Sequence, residues 1–408
     1  AGHLQAGGDR SAAGAAYAAA AVRQLGRTCD NEAMRLARAG LSLKPPGRAC
    51  GLLLEARGEV HRRRGRLAEA RADLQSAVDS LDDAADRSRV LAELAILEAR
   101  SASLARGQEL AELAIAEAGR QPGARGQALA AAAIIDLPTG NLVRARQRSR
   151  QAGRLLERAG DSQGTARLLY LRAMISFMAG RLREAIASLR DLAALPVMPA
   201  EVLRMWSPRA TLGHALALGG QAEAGLAEID DTLAWARTAC YPAIESECLW
   251  RRSEALAFLG RSGEAVESAE QAADIAARIR HAGCAAGALR GLGIAWEAAG
   301  CPGRAESAFR RSLEAAQGNA FFAAWASARL GACLARQGRP QDAAPHIDAA
   351  LRPGTPLTGH EARWARAELL TARGDRDACQ ATTADVLRAV QDAGYLILVP
   401  RLRELARS

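Results

Sequence analysis

Apolar and small residues recur along this chain at steps of three and four, the spacing of one face of a helix. Around Gly300 the set is Leu289, Leu292, Gly293, Trp296, Ala305 and Phe309; around Gly338 it is Leu330, Gly331, Leu334, Ala343, Ile347 and Ala350; around Gly65 it is Leu54, Gly58, Ala70, Leu74 and Ala77. The pattern predicts paired helices over 49–63 with 67–81, 86–102 with 106–119, 124–137 with 141–158, and 161–179 with 181–194. It continues over 199–218 with 221–237, 241–259 with 261–279, 281–299 with 302–316, 319–337 with 340–350, and 356–373 with 375–393. Residues 1–44 supply an opening pair and 395–408 a C-terminal cap. Pro196, Pro199, Pro353 and Pro356 punctuate connections.

A glycine with an alanine five residues later marks the turn inside each pair: Gly65 and Ala70, Gly140 and Ala145, Gly180 and Ala185, Gly260 and Ala265, Gly300 and Ala305, Gly338 and Ala343. Weaker copies read Gly220 to Ala224 and Gly374 to Ala378. From 140 to 300 the step is 40 residues, and later 38 and 36. A fixed period in this range signals a helical solenoid. The expected fold is therefore all-α, a right-handed superhelical solenoid of about ten antiparallel helix pairs forming one domain over 1–408. Gly58, Gly213, Gly293 and Gly331 each lie seven residues before a turn glycine. Glycine inside a helix costs about 1 kcal/mol against alanine. Its return at one register predicts close helix contact there.

Composition supports helices. About half the residues are apolar, mostly Ala and Leu, and only 4% are aromatic. The formal charge of +9 comes almost entirely from arginine, since Lys44 is the only lysine among 54 basic residues. That imbalance, with abundant Ala and Gly, fits a GC-rich coding sequence and weakens any argument from arginine to nucleic acid. The eight cysteines show no C-x-x-C spacing, which reads as free thiols in a reducing cytoplasm. No stretch has the length and apolarity of a membrane span.

The turn glycine, the helix-B alanine and the small residue within helix A resemble the tetratricopeptide repeat, here near 40 residues rather than the usual ~34. The longer unit looks like the repeats of the maltose-regulator-like, STAND-class ATP-binding bacterial transcription regulators. The opening His3 to Asp9, the segment Glu32 to Pro45 and the run Leu52 to Gly65 are similar to the junction and first repeats of those proteins. The chain has no Walker A loop and no C-terminal helix-turn-helix after Leu387, so neither ATP hydrolysis nor DNA reading is assigned to it. The start at Ala1 rather than Met is read as an excised piece, with the ATPase part expected N-terminal to it.

The resemblance implies that helix A lines a concave groove, through positions ten, six and three residues before the turn glycine. These are Glu55, Glu59 and Arg62; Tyr170, Met174 and Phe177; His214; Trp250 and Glu254; Arg290; and Trp364 and Glu368. An aromatic groove with interspersed charge would hold a protein or peptide partner, or a small effector. The plainer reading is that these rings fill gaps left by small alanines.

Other candidates are weaker. Arg144, Arg146, Arg148 and Arg150, and Arg62 to Arg64, are basic runs that read as solvated faces unless they form one stripe. The carboxylates of Glu245 to Glu247 and Glu264 to Glu270 form no evident acid–base pair. Cys240 and Cys248, eight apart on one expected helix, and His281 with Cys284 are the nearest approaches to a metal or disulfide site. No cofactor, metal or catalytic residue is expected. The functional expectation is a non-catalytic, cytoplasmic interaction and effector-sensing module. It is the C-terminal repeat region of an ATP-dependent regulator or, alternatively, a free-standing adaptor. An enzyme or a repeat-type RNA binder would need polar clusters that the sequence does not display. Uncapped repeat ends allow a homodimer.

Overall fold

The computed structural model describes residues 9–101, 103–194, 207–316, 318–352 and 355–407, the side chain of Gln163 excepted. Every described element is a helix. In chain order they are α1 (Arg10–Gly26), α2 (Asp30–Ser42), α3 (Gly47–Arg63), α4 (Leu67–Ser80), α5 (Ala84–Ser101), α6 (Leu104–Glu117) and α7 (Pro122–Asp136). Then come α8 (Leu142–Ala159), α9 (Ser162–Met178), α10 (Leu182–Ala193), α11 (Pro208–Leu218), α12 (Ala222–Ala239), α13 (Pro242–Phe258) and α14 (Ser262–Ile279). The last are α15 (Ala282–Ala298), α16 (Pro302–Ala315), α17 (Ala320–Arg336), α18 (Pro340–Leu351), α19 (Pro356–Arg373), α20 (Arg376–Ala393), a 3-10 turn (Leu396–Leu398) and α21 (Val399–Leu405). The expected pairs are present, most within a few residues at each end, and the fold is an all-α helix-pair repeat of tetratricopeptide type; the helix expected over 199–218 begins instead at Pro208, where extended Ser207 caps it, and residues 199–206 lie outside the described ones. Pro196, Pro199, Pro353 and the opening His3 to Gly8 lie outside the described residues.

The repeat pattern led us to expect one domain over 1–408, and the described residues group into two compact units. One takes those of Ala1–Ile135 and Ala145–Leu171; the other takes those of Asp136–Arg144, Arg172–Leu195 and Trp206–Ser408. In the first, Ala18, Ala21, Leu25, Ala33, Met34, Leu53 and Val60 join α1, α2 and α3 in one cluster. In the second, Ile229, Leu233, Leu249, Trp250, Ile275 and Ala288 join α12 to α15.

The repeat register has a direct backbone cause. Gly65, Gly140, Gly180, Gly220, Gly260, Gly300, Gly338 and Gly374 all have φ between +71° and +80°, a left-handed turn that reverses the chain between paired helices. The turns between one pair and the next use the same conformation at Gly160, Cys240 and Arg280, so among the described residues a left-handed residue recurs about every 20 residues from 140 to 180 and again from 220 to 300. The sequence hid this half-period because Cys240 and Arg280 are not glycine. The small residue five after the turn glycine is fully buried at Ala70, Ala145, Ala185, Ala265, Ala305 and Ala343. In the weaker copies the buried position is Gly225 and Cys379, five after the glycine, while Ala224 is exposed. The spacing of five therefore holds throughout.

The mid-helix glycines face helix B. A methyl at Gly58 would lie 3.1 Å from Asp73 Cβ and 3.3 Å from Ala70 O, and one at Gly213 would lie 2.7 Å from Ile229 Cγ1. At Gly293 it would overlap the Phe309 ring, and at Gly331 the Ile347 side chain. Several helix starts are capped by side chains. Asp9, Asn319 and Asp375 carboxyl or amide oxygens accept from the backbone N–H three residues on, at 2.9–3.2 Å.

Candidate functional site

The A helices of the second unit carry charge inward, and the charges meet. His214 on α11 lies 3.0 Å from Glu254 on α13. Arg290 on α15 donates to Glu254 through Nη1 and, at 2.7 Å, to Glu361 on α19 through Nη2. Arg329 on α17 donates to Glu361 at 2.7 and 3.3 Å, and Tyr395 O–H donates to the same carboxylate. Arg329 lies 3.8 Å from Glu297 on α15, which also accepts from Arg336 on α17. Arg336 lies 3.7 Å from Glu368, and Arg401 on α21 grips Glu368 with bonds of 2.7 and 2.8 Å. Four carboxylates and four guanidiniums thus link α13, α15, α17, α19 and α21, and His214 adds α11.

Aromatic rings sheathe the network. Arg290 stacks 3.6 Å above the Trp325 ring, and Arg329 4.9 Å above that of Trp364. His214 meets Trp250 edge-on at 5.0 Å and Phe177 at 5.9 Å. Glu254, Arg290 and Glu361 are 0% exposed.

Burial and charge set the protonation states. Burial would raise Glu361, but the Arg290 and Arg329 guanidiniums outweigh it and hold its pKa at about 2. Burial opposes the ionisation of Glu254 too, and Arg290 and His214 again win, so its pKa is lowered. Burial lowers His214 against the pull of Glu254. The pair at neutral pH is therefore an ionised carboxylate and a neutral imidazole whose Nε2–H donates. Glu297 is pushed up by burial despite Arg336 and Arg329. Three N–H donors in this region, Arg290 Nε, Trp325 Nε1 and Trp364 Nε1, have no acceptor among the described residues.

Of the residues expected to face a groove, Phe177, His214, Trp250, Glu254 and Arg290 come together here, with Trp364 and Glu368 further along the same network. They are at most 4% exposed, so they form the packed inner face rather than a half-wet wall. Met174 is half-buried on α9. Tyr170, Glu59 and Arg62 belong to the first unit. There Tyr170 is fully buried, and Arg62 donates twice to Glu59 at 2.8 Å. Sequence reasoning missed Glu361, Arg329, Glu297, Arg336, Tyr395 and Arg401. A readable signal existed: Glu254 and Arg290, Arg329 and Glu361, Glu297 and Arg336, and Glu368 and Arg401 are opposite charges 32 to 39 residues apart, about one repeat.

The same one-repeat pairing explains the arginine content in the first unit. Arg63 binds Asp30, Arg89 binds Glu55, and Arg148 binds Glu112, at separations of 33 to 36 residues. The Arg62 to Arg64 run is absorbed by Glu59, Asp30 and Asn31. In the other basic run, Arg144 pairs with the buried Asp136, within the second unit, while Arg146 and Arg150 are exposed.

The remaining candidates resolve into structure. Cys240 and Cys248 do not share a helix: Cys240 ends α12 in a left-handed turn at φ 57°, and Cys248 is buried within α13. His281 Nδ1 caps α15 by accepting from Cys284 N–H at 3.1 Å. All eight cysteines are free. Among the described residues no group of three or more His, Cys, Asp or Glu is placed to hold a metal, and no helix is long and apolar enough to cross a membrane. A cavity of about 370 Å³ opens between α12, α13 and α14, but Arg252 on its wall is already bound to Asp230 at 2.8 Å.

Among solved structures, the chain is similar to a Rap protein complexed with competence and sporulation factor, at 12% identity and TM-score 0.45, over 88% of this chain and 98% of that one. It is similar to a STAND protein with a tetratricopeptide repeat sensor from Pyrococcus horikoshii, at 16% identity and TM-score 0.44. That match covers 79% of this chain and 52% of the other, so this chain spans about half of that protein. A tetratricopeptide repeat protein from Parabacteroides merdae ATCC 43184 matches at 15% identity and TM-score 0.38, over 69% and 99% of the two chains. No protein-family model and no curated protein matches the chain. Likenesses at these scores carry no conclusion about ligand or mechanism.

Proposed function

We propose that this chain is a non-catalytic interaction and effector-sensing module, and that the inner face of its second unit is the sensing element. The observation that carries the reading is the charge-balanced network joining α11, α13, α15, α17, α19 and α21, with three buried N–H donors left without acceptors. An unpaired buried donor costs about 1–3 kcal/mol. An effector carrying carboxylate or carbonyl oxygens offsets that cost in the state that admits it. It thereby shifts the population toward a different stacking of the repeats. Every ionised group in the network already has a partner, which suits a latch better than an acid–base catalyst. The free thiols agree with a reducing, cytoplasmic setting.

Within this reading the chain is the C-terminal repeat region of an ATP-dependent bacterial transcription regulator, whose N-terminal ATPase part reads the shift. The partner is a protein, a peptide or a small effector. The native gene upstream of the Ala1 codon tests this. A glycine-rich loop ending in Lys-Ser or Lys-Thr is expected there. A start codon within a few residues of Ala1 overturns the regulator assignment and leaves a free-standing adaptor.

A further inference from the structure

One part of the inner face is occupied by the chain's own C-terminal segment. After α20 the backbone turns at Gly394, with φ 77°, and enters the 3-10 turn Leu396–Leu398. Tyr395 sits between them, in a connection, yet is 0% exposed. Its ring stacks on His360 at 5.8 Å and 24°, and its hydroxyl donates to Glu361 at the centre of the ionic network. A buried connecting residue that places its one polar atom on a charged hub acts as a ligand would.

The walls around this segment come from distant parts of the second unit. Arg183 at the start of α10 donates to Gln391 O at 3.0 Å, and a methyl on Gly394 would lie 3.0 Å from Arg183 Cγ. A methyl on Gly219 would lie 3.6 Å from Gly394 O, and one on Gly220 would lie 3.4 Å from Leu396 Cβ. A methyl on Gly180 would lie 2.9 Å from His360 Nε2. The turn at Gly180 thus closes on α19, and the turn at Gly219 and Gly220 on the Gly394–Leu398 segment. Within the segment Leu398 is buried while Leu396 stays 38% exposed.

We propose that Gly394–Leu398 is a self-supplied occupant of a binding slot formed by Arg183, Gly219, Gly220, His360 and Glu361, and that the slot accepts in trans a peptide presenting tyrosine followed by aliphatic residues. Such a peptide competes with the chain's own clasp, and its entry frees the turn at Gly220 from Leu396. The proposal deepens the sensing role given to the inner face and names the chemistry of its partner.

The test uses the full chain and a labelled synthetic peptide copying residues 391–402, followed by fluorescence anisotropy. Wild type, with its slot filled, is expected to bind the peptide weakly or not at all. Tyr395→Ala is expected to bind it, and to bind a version with phenylalanine in place of the tyrosine at least about tenfold more weakly, the loss of one hydrogen bond to a charged group. Equal binding by wild type and variant, or no binding by a Tyr395→Ala chain that keeps its helical circular dichroism, overturns the proposal. Should Tyr395→Ala lose its helices, Tyr395→Phe decides. Amide exchange over 376–405 must then accelerate roughly tenfold while α13 to α15 stay unchanged, and unaltered rates overturn the proposal. None of these readouts needs an effector. A failed clasp therefore leaves the sensing reading standing, and a failed effector search leaves the clasp standing.

Discussion

Replacing Arg290 with methionine tests the central claim that the inner face is held by coupled charges. Arg290 is 0% exposed and bridges Glu254 and Glu361 over the Trp325 ring. Methionine keeps much of the volume and removes the charge. Glu361 still has Arg329 and the Tyr395 hydroxyl, but Glu254 is left with neutral His214. Breaking a buried pair by removing one partner costs about 3–5 kcal/mol, and the lost stacking on Trp325 adds up to ~2. We expect destabilisation of about 4 kcal/mol at pH 8. The deficit should shrink on acidification. Arg290 is one of the charges holding His214 down, so without it His214 protonates more readily and becomes the cation Glu254 lacks. Arg290→Met/Glu254→Gln should recover about 2 kcal/mol or more, because the stranded carboxylate is gone. Urea unfolding followed by circular dichroism and tryptophan fluorescence measures the loss. Hydrogen exchange in α13 to α19 guards against repeats unfolding separately. A single variant within about 1 kcal/mol of wild type, or a double variant whose losses simply add, refutes the reasoning.

Further outcomes follow from the same geometry. Arg280 is exposed and held at φ 53°, so Arg280→Gly should stabilise by about 0.5–1 kcal/mol, and a destabilised variant would contradict the turn assignment. Gly293→Ala, driven into Phe309, should cost about 1–3 kcal/mol, while Gly303→Ala, with open space around it, should be neutral or stabilising; thermal melts of the two separate packing from propensity. Trp250→Ala empties a buried site against His214 and Phe322 and should cost about 3–5 kcal/mol, so an unchanged urea midpoint would place Trp250 outside the core. His360 is lowered to about 4, first by burial and then by Arg363, against an ordinary value of 6.5. Its contribution is therefore complete above about pH 6.5 and lost as pH falls toward 4, about 2 kcal/mol by pH 5. Glu297, raised by burial, works in the opposite sense, so the comparison is wild type against His360→Gln, and parallel melting curves from pH 7.5 to 5 would exclude the effect.

Helices, their pairing and the turn register were legible because each rests on local chemistry. A left-handed turn favours glycine, and helix contact favours Gly or Ala at one spacing, so Gly300, Ala305 and Gly293 announce their roles wherever they stand. Cys240 and Arg280 escaped because context there forces a conformation their side chains do not prefer. The inner face was only half legible. His214, Trp250, Glu254 and Arg290 could be marked by their register, yet whether they meet water or one another depends on how far successive A helices turn inward. Glu361 collects Arg290 from 71 residues away, Arg329 from 32 and Tyr395 from 34. No local propensity encodes that convergence. It arises from the small rotation each repeat adds to the last, which only the packed tertiary structure sums.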